Sequence, residues 1–161
     1  MKTLWAPWRM TYILSDKTHE CIFCEMPKQE RSKDRENLIL YRSSHNFVMM
    51  NRYPYNNGHL MIAPYLHIPS LDGLTDEALL DFMKVTQHSV NSLRKALMPE
   101  GFNIGINIGK VAGAGMEEHL HLHMVPRWAG DTSFMAVLCE VRVIPEHIME
   151  TYDKLFAAFN L

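Results

Sequence analysis

Apolar and polar positions along the chain fall into two periods. Short runs that alternate, or are apolar throughout, occupy residues 38–41, 47–51, 59–64, 102–108 and 119–125, and each predicts a β-strand. Turn-rich punctuation separates them at 42–46 and at 53–58, the latter rich in Pro, Asn and Gly. Between the third and fourth runs, residues 74–98 predict one long helix. Leu79, Phe82, Met83, Thr86, Val90, Leu93 and Leu97 recur at helical spacing and are expected to face a sheet. Thr75 suits the N-cap, Asp76 and Glu77 suit the first turn, Arg94 and Lys95 suit the last, and residues 99–101 stop the helix. Pro145 opens a second helix through Phe159, with Ile148, Tyr152, Leu155 and Phe159 on one face. Strands, helix, strands, helix predict an α+β fold: an antiparallel sheet with helices on one side. The charge run 28–36 (KQERSKDRE) is expected to be an exposed connector.

Composition narrows the class. The chain has 161 residues, 47% hydrophobic and 21% charged, which suits a single domain over 1–161 that buries its own core. A formal net charge of −2 supplies no diffuse basic field to recruit nucleic acid or an anionic membrane, so neither is expected as a partner. Three cysteines, an odd number, argue against a disulfide framework. Lys2 is followed by a short apolar stretch broken at Pro7 and Arg9, unlike a signal peptide, and no run of about 20 apolar residues occurs. The expected location is the cytoplasm. The 12 methionines are read as core fillers, and Cys139, in an apolar stretch, as a small core residue.

The chemistry gathers near residue 120. His119, His121 and His123 alternate with Leu120, Leu122 and Met124, so on a strand the imidazoles share one face, with neighbours about 6–7 Å apart. Imidazole serves as nucleophile, proton carrier, anion partner or metal ligand near neutral pH. Upstream, a run of small residues from Asn107 through Gly113, Ala114 and Gly115 lets backbone N–H groups approach phosphate oxygens. Downstream, Pro126-Arg127-Trp128 closes the strand with a cation and a large aromatic ring. Together these describe a pocket for a phosphorylated substrate, a nucleotide by preference. Separately, Cys21-Ile22-Phe23-Cys24 has zinc-knuckle spacing, although two thiols alone fit a redox pair equally well.

The stretch His119 to Val125 resembles the His-φ-His-φ-His-φ-φ signature of the histidine triad (HIT) family of nucleotide hydrolases and transferases. The stretch Phe47 to Pro64 resembles that family's ribose-binding strand and hairpin, with Asn51 in place of Asp as in the Fhit-like branch. Within it, Leu4 to Met10, the 107–115 loop and Pro126-Arg127-Trp128 are similar to bacterial diadenosine tetraphosphate phosphorylases. One departure favours that subgroup: Gly115 stands where many Fhit-like hydrolases carry Gln.

The resemblance implies a HIT-like fold and cleavage of dinucleoside polyphosphates through a covalent His121–AMP intermediate, with inorganic phosphate as acceptor. Hydrolysis of adenosine phosphoramidates is the alternative, and a nucleotide-binding regulatory module is the alternative of another class. It implies His121 as nucleophile, with a backbone carbonyl fixing its tautomer, and His123 as a partner of the phosphate or the departing group. His59 would be the family's fourth histidine, although a lone buried His serves as well in core hydrogen bonding. Asn51 would hold ribose hydroxyls or form a turn; Trp128 would stack near the site mouth or cap the core. Zinc-bearing relatives imply a closed structural site of Cys21, Cys24, His67 and His119. A homodimer is implied as well.

Overall fold

The computed structural model describes residues 20–113, 115–131 and 144–160. Its strands β1 (Ile39–Arg42), β2 (Asn46–Met50), β3 (Leu60–Pro64), β4 (Gly101–Ile106) and β5 (Leu122–Arg127) form one antiparallel sheet in the order β1-β2-β3-β5-β4. Helix α1 is Ile22–Lys28, α2 is Asp76–Leu97 and α3 is Ile148–Asn160. The α+β expectation stands. Segment 4–10, Ala114 and Cys139 lie outside the described residues.

Alternation along the strands divides the sheet into two faces. Val48, Met50, Leu60, Ile62, Leu122 and Met124 face α2 and α3, burying Phe82, Val85, Leu93, Tyr152, Leu155 and Phe159. The other face carries Phe47, Met49, Met61 and Ala63, and α1 lays Phe23 against them. Helices therefore cover both faces, where the sequence pattern placed them on one. The charge run 28–36 is mostly exposed but is more than a connector. It holds a 3₁₀ turn at Arg31–Lys33, and Asp34 takes Arg42 Nη2 at 2.6 Å while Arg42 Nη1 donates to Pro27 O at 2.6 Å.

Helix α2 begins as predicted, with Thr75 Oγ1 accepting from Ala78 N at 3.3 Å, and it ends at Met98 in the left-handed region. Its buried face is rotated from the predicted one. Ala78, Phe82, Val85, Thr86, Ser89, Ser92 and Leu93 are buried, whereas Leu79 and Met83 are 40% and 55% exposed. Small serines let α3 come close: Ser89 bonds back to Val85 O and Ser92 donates to Ala158 O. Such residues read as polar in a sequence although their hydroxyls are satisfied inside.

The histidine strand also starts later than expected. Past Ile62↔Leu122 the chain leaves the β3 ladder, because Leu120 N donates to Ile68 O at 2.6 Å and His119 Nε2 to Pro64 O at 2.9 Å. His119 and His121 thus sit on an extended approach to β5, and His123 within it.

The observed face of α2 predicts a sharp contrast between neighbours. Phe82→Ala should lower the unfolding free energy by about 3–5 kcal/mol, while Met83→Ala should change it by less than about 0.5 kcal/mol, read from urea denaturation midpoints. Comparable losses at both positions would refute this helix orientation.

Candidate functional site

His59 and His121 are buried and His123 is half-buried, on the sheet face opposite the α2/α3 core, with His123 directly across from Met61. Gly58 leads into His59 with φ +71°, and a Cβ there would lie 2.5 Å from Leu97 Cδ1, so the hairpin needs glycine to reach this position. The protons on the rings follow from the partners. Tyr55 N lies 3.1 Å from His59 Nδ1, and a backbone N–H can only donate. The His59 proton is therefore on Nε2, which donates to His123 Nδ1 at 2.9 Å, and the His123 proton is on Nε2. His121 Nδ1 lies 2.8 Å from His119 O, and a carbonyl can only accept, so Nδ1 carries the proton and Nε2 a lone pair.

Two adjacent imidazoles, with ring centroids 4.8 Å apart, are thus held in opposite tautomers. One offers a nucleophilic nitrogen, the other a neutral N–H donor. Burial keeps all three neutral: it pushes the pKa of His59 down to about 3 and of His123 to about 4, neighbouring imidazoles adding to both, and lowers that of His121 as well.

Asn51 borders this array. Its Oδ1 accepts Tyr53 N–H at 2.9 Å and its Nδ2 lies 3.4 Å from His59 Nδ1, so it forms the turn and touches the histidines at once. Sequence reasoning did not single out two aromatic neighbours. Tyr55 packs 4.6 Å from the His59 ring, and Phe23 stacks 4.8 Å from His121 at 29°. Phe23 had one signal, its place between two cysteines that a metal would carry toward His119. In the glycine run, Gly109 and Gly113 have positive φ around a 3₁₀ turn at Lys110–Ala112. Ala112 and Gly113 spend their N–H groups within that turn, while Gly113 and Gly115 are open enough that an added Cβ meets nothing within 4 Å. Trp128 donates its indole N–H to Leu97 O, closing the end of α2, and stands outside the hydrogen-bonded histidine array.

The thiols and two further histidines converge. Cys21 is the N-cap of α1 and Cys24 lies in its first turn, so the pair sits on a helix start. Cys21 Sγ is 3.3 Å from His119 Nδ1, Cys24 Sγ is 3.2 Å from His67 Nδ1, and the two Nδ1 atoms are 3.2 Å apart. His119 donates Nε2–H to Pro64 O, which leaves its Nδ1 lone pair facing the sulfurs. Ligands at about 2.0–2.3 Å around a tetrahedral ion stand roughly 3.3–3.8 Å apart, close to these separations. Cys21, Cys24, His67 and His119, all four predicted from sequence, can hold a metal ion. A hollow of about 490 Å³ beside His67 is lined also by Ile108 and Gly109, linking this cluster to the glycine run.

Comparison with known proteins places the chain. The family model for the HIT domain matches residues 32–130. An AP-4-A phosphorylase of Mycobacterium tuberculosis is 36% identical over 160 residues, covering 94% of this chain and 80% of that protein. The adenosine 5'-monophosphoramidase HNT1 of Saccharomyces cerevisiae is 29% identical over 107 residues, covering 66% of this chain and 62% of that protein. The crystal structure of a zinc-bound histidine triad family protein from Mycobacterium smegmatis superposes with a TM-score of 0.67 at 27% identity, covering 88% of this chain and 94% of that one.

The buried neutral imidazoles predict acid sensitivity. Below the ordinary value of 6.5 the unfolded chain takes up protons that folded His59 and His123 refuse until about 3 and 4. The stability they allow is present above pH 6.5 and falls as pH drops toward 4, by up to about 1.4 kcal/mol per pH unit for each. Melting temperature followed against pH should decline over that window, and His59→Gln should flatten the decline. Parallel curves for the two proteins would contradict the assignment.

Proposed function

The chain belongs to the histidine triad (HIT) family, and from that membership and the geometry of the histidines we propose that it transfers AMP from diadenosine tetraphosphate to inorganic phosphate through a His121–AMP intermediate. The observation that carries this reading is the His121 Nδ1–H bond to His119 O, which leaves a neutral Nε2 lone pair beside an N–H donor. In this proposal Nε2 of His121 attacks the α-phosphorus, and the bond to the bridging oxygen of the departing ATP breaks. Phosphate then attacks the same phosphorus, the P–N bond breaks and ADP leaves. His123 Nε2–H faces a phosphoryl oxygen, and His59 holds His123 in that tautomer. Asn51 is assigned to the ribose, and N–H groups of the run that includes Asn107, Ala114 and Gly115 to phosphate oxygens, with Gly113 leaving room for the ligand beside them.

We assign structural zinc to Cys21, Cys24, His67 and His119, where it would tie α1 to the approach of β5. The exposed residues Asn103, Ile104 and Gly105 of β4, an edge strand among the described residues, support pairing with a second copy. We take 1–161 as one HIT-like domain working in the cytoplasm, where nucleotides and reduced thiols belong. No helix of the described residues is long and apolar enough to cross a membrane.

The second reading, hydrolysis of an adenosine phosphoramidate, is favoured by the yeast relative and uses the same intermediate with water as acceptor. Product analysis separates them. With diadenosine tetraphosphate, ADP beside ATP, and a rate that rises with phosphate, is the expected result. AMP beside ATP, indifferent to phosphate, means hydrolysis. In either case His121→Ala should lose on the order of 10⁴-fold in turnover while still binding nucleotide, and a variant keeping a tenth of the activity would exclude His121 as nucleophile.

Metal content supplies an independent check. Protein purified without added metal should carry about one zinc per chain, and Cys24→Ser should lose metal and melting temperature together, because binding free energy is folding free energy at such a site. Metal-free protein of undiminished stability would return the thiols to a redox or purely packing role.

A further inference from the structure

The loop 51–58 delivers two things to the histidines, the Tyr55 N–H that sets the His59 tautomer and the position of His59 itself. Beside the packing of Tyr55 on His59, polar anchors hold this loop: Arg52 Nη2 donates to Glu36 O and Thr151 Oγ1 to Asn57 Oδ1, and Asn56 makes the tie to the strand that carries His123. The Asn56 amide donates to Pro126 O at 3.0 Å and to Asp131 Oδ2 at 2.9 Å, while its backbone carbonyl accepts His59 N–H at 3.2 Å.

Asp131 is in turn oriented by β5. Arg127 Nε and Nη2 reach its two oxygens at 2.6 and 2.9 Å, and Trp128 N donates at 3.2 Å. The carboxylate is 9% exposed against 43% for Arg127, so it faces inward toward the loop and is more than a surface ion pair. Pro126 and Arg127 follow His123 on the same strand. The clamp therefore joins the two chain segments that carry His59 and His123, the pair whose rings share a 2.9 Å hydrogen bond. That bond is directional, and a small shift of the loop would free His59 to change tautomer and turn His123 Nε2 from donor to acceptor.

We propose that Asn56 and Asp131 are positioning residues of the histidine site, which clamp the 51–58 loop to the end of β5 and so keep Nε2–H of His123 directed at the substrate phosphate. The proposal rests on the reading of His123 as a donor at the reacting phosphate, and its test has one arm that does not.

The first arm is ¹⁵N NMR of the imidazoles in the full-length, substrate-free protein near neutral pH. Wild type should show His123 protonated at Nε2 only, and Asn56→Ala and Asp131→Ala should each show a mixture of tautomers. The second arm is turnover of diadenosine tetraphosphate. Both variants should lose about 10–100-fold in kcat with KM within about threefold, the size expected for a misplaced group that does not itself bind substrate. Asp131→Asn, which keeps an acceptor for the Asn56 amide, should recover most of the loss. Thr75→Ala, a lost helix cap remote from the site, serves as control: a purely structural effect would lower its kcat as well. If the alanine variants fail to fold, Asn56→Ser, measured in the cold, carries the same comparison, with Asp131→Asn still expected to behave close to wild type. Folded variants with the wild-type His123 tautomer and unaltered kcat overturn the proposal. A wild type inactive on the nucleotide, with tautomers that still shift in the variants, overturns the reaction and leaves the clamp standing.

Discussion

The 2.8 Å hydrogen bond from His121 Nδ1–H to the carbonyl of His119 sets the conditions for everything else at the site. An imidazole free in solution exchanges tautomers and takes a proton near pH 6.5, and either change removes the lone pair a nucleophile needs. A backbone carbonyl blocks the first change because it accepts and never donates. Burial blocks the second by lowering the pKa of His121. The carbonyl must be held still for this to work. Its residue, His119, points its own ring at the thiols and bonds it to Pro64 O, so the acceptor of the His121 proton is anchored at a second set of partners.

The same logic explains why two chemically identical side chains, His121 and His123, behave as opposites two residues apart. One chain of hydrogen bonds terminates in a C=O and the other in an N–H, both from backbone, and neither can reverse. Buried polar groups of this kind are costly unless satisfied, and here each ring has a partner of the right polarity. The Phe23 ring covers His121, carried there on α1 together with Cys21 and Cys24. The metal-ligand cluster and the histidine array thus share one stretch of chain and one aromatic lid, so order in one is order in the other.

Much of this was legible before any coordinates. Alternation put the three histidines on one face and Leu122 and Met124 in the core, and the four candidate ligands do converge. Thr75 caps the long helix as its side chain suggested. What escaped was set by partners remote in sequence. Ser89 and Ser92 look solvent-facing, yet both are buried, Ser89 bonding back to Val85 O of its own helix and Ser92 to Ala158 O of α3. The strand carrying the histidines is shortened by Ile68 O, a carbonyl with no signature of its own. Trp128 bonds the end of α2, and the hairpin is pinned by Asn56, whose side chain in isolation signals only a turn. Periodicity reports which way a residue faces; it does not report which polar atom will be waiting.

The proposed polyphosphate substrate would bring several negative charges to this site, and among the described residues the hydrogen-bond partners of the histidine array are imidazoles, amides and carbonyls. Full counter-charges at the histidines would bind the resting substrate tightly, which lowers KM without helping the chemical step. Oriented neutral dipoles act differently: fixed in advance and shielded from water, they gain most where charge moves onto the equatorial oxygens as the P–O bond breaks. The neutrality that burial imposes on His123 is therefore compatible with a catalytic role. In the proposed reaction His123 would be a donor whose value rises between ground state and transition state, provided its tautomer is fixed, and that condition is met by a backbone N–H two hydrogen bonds away.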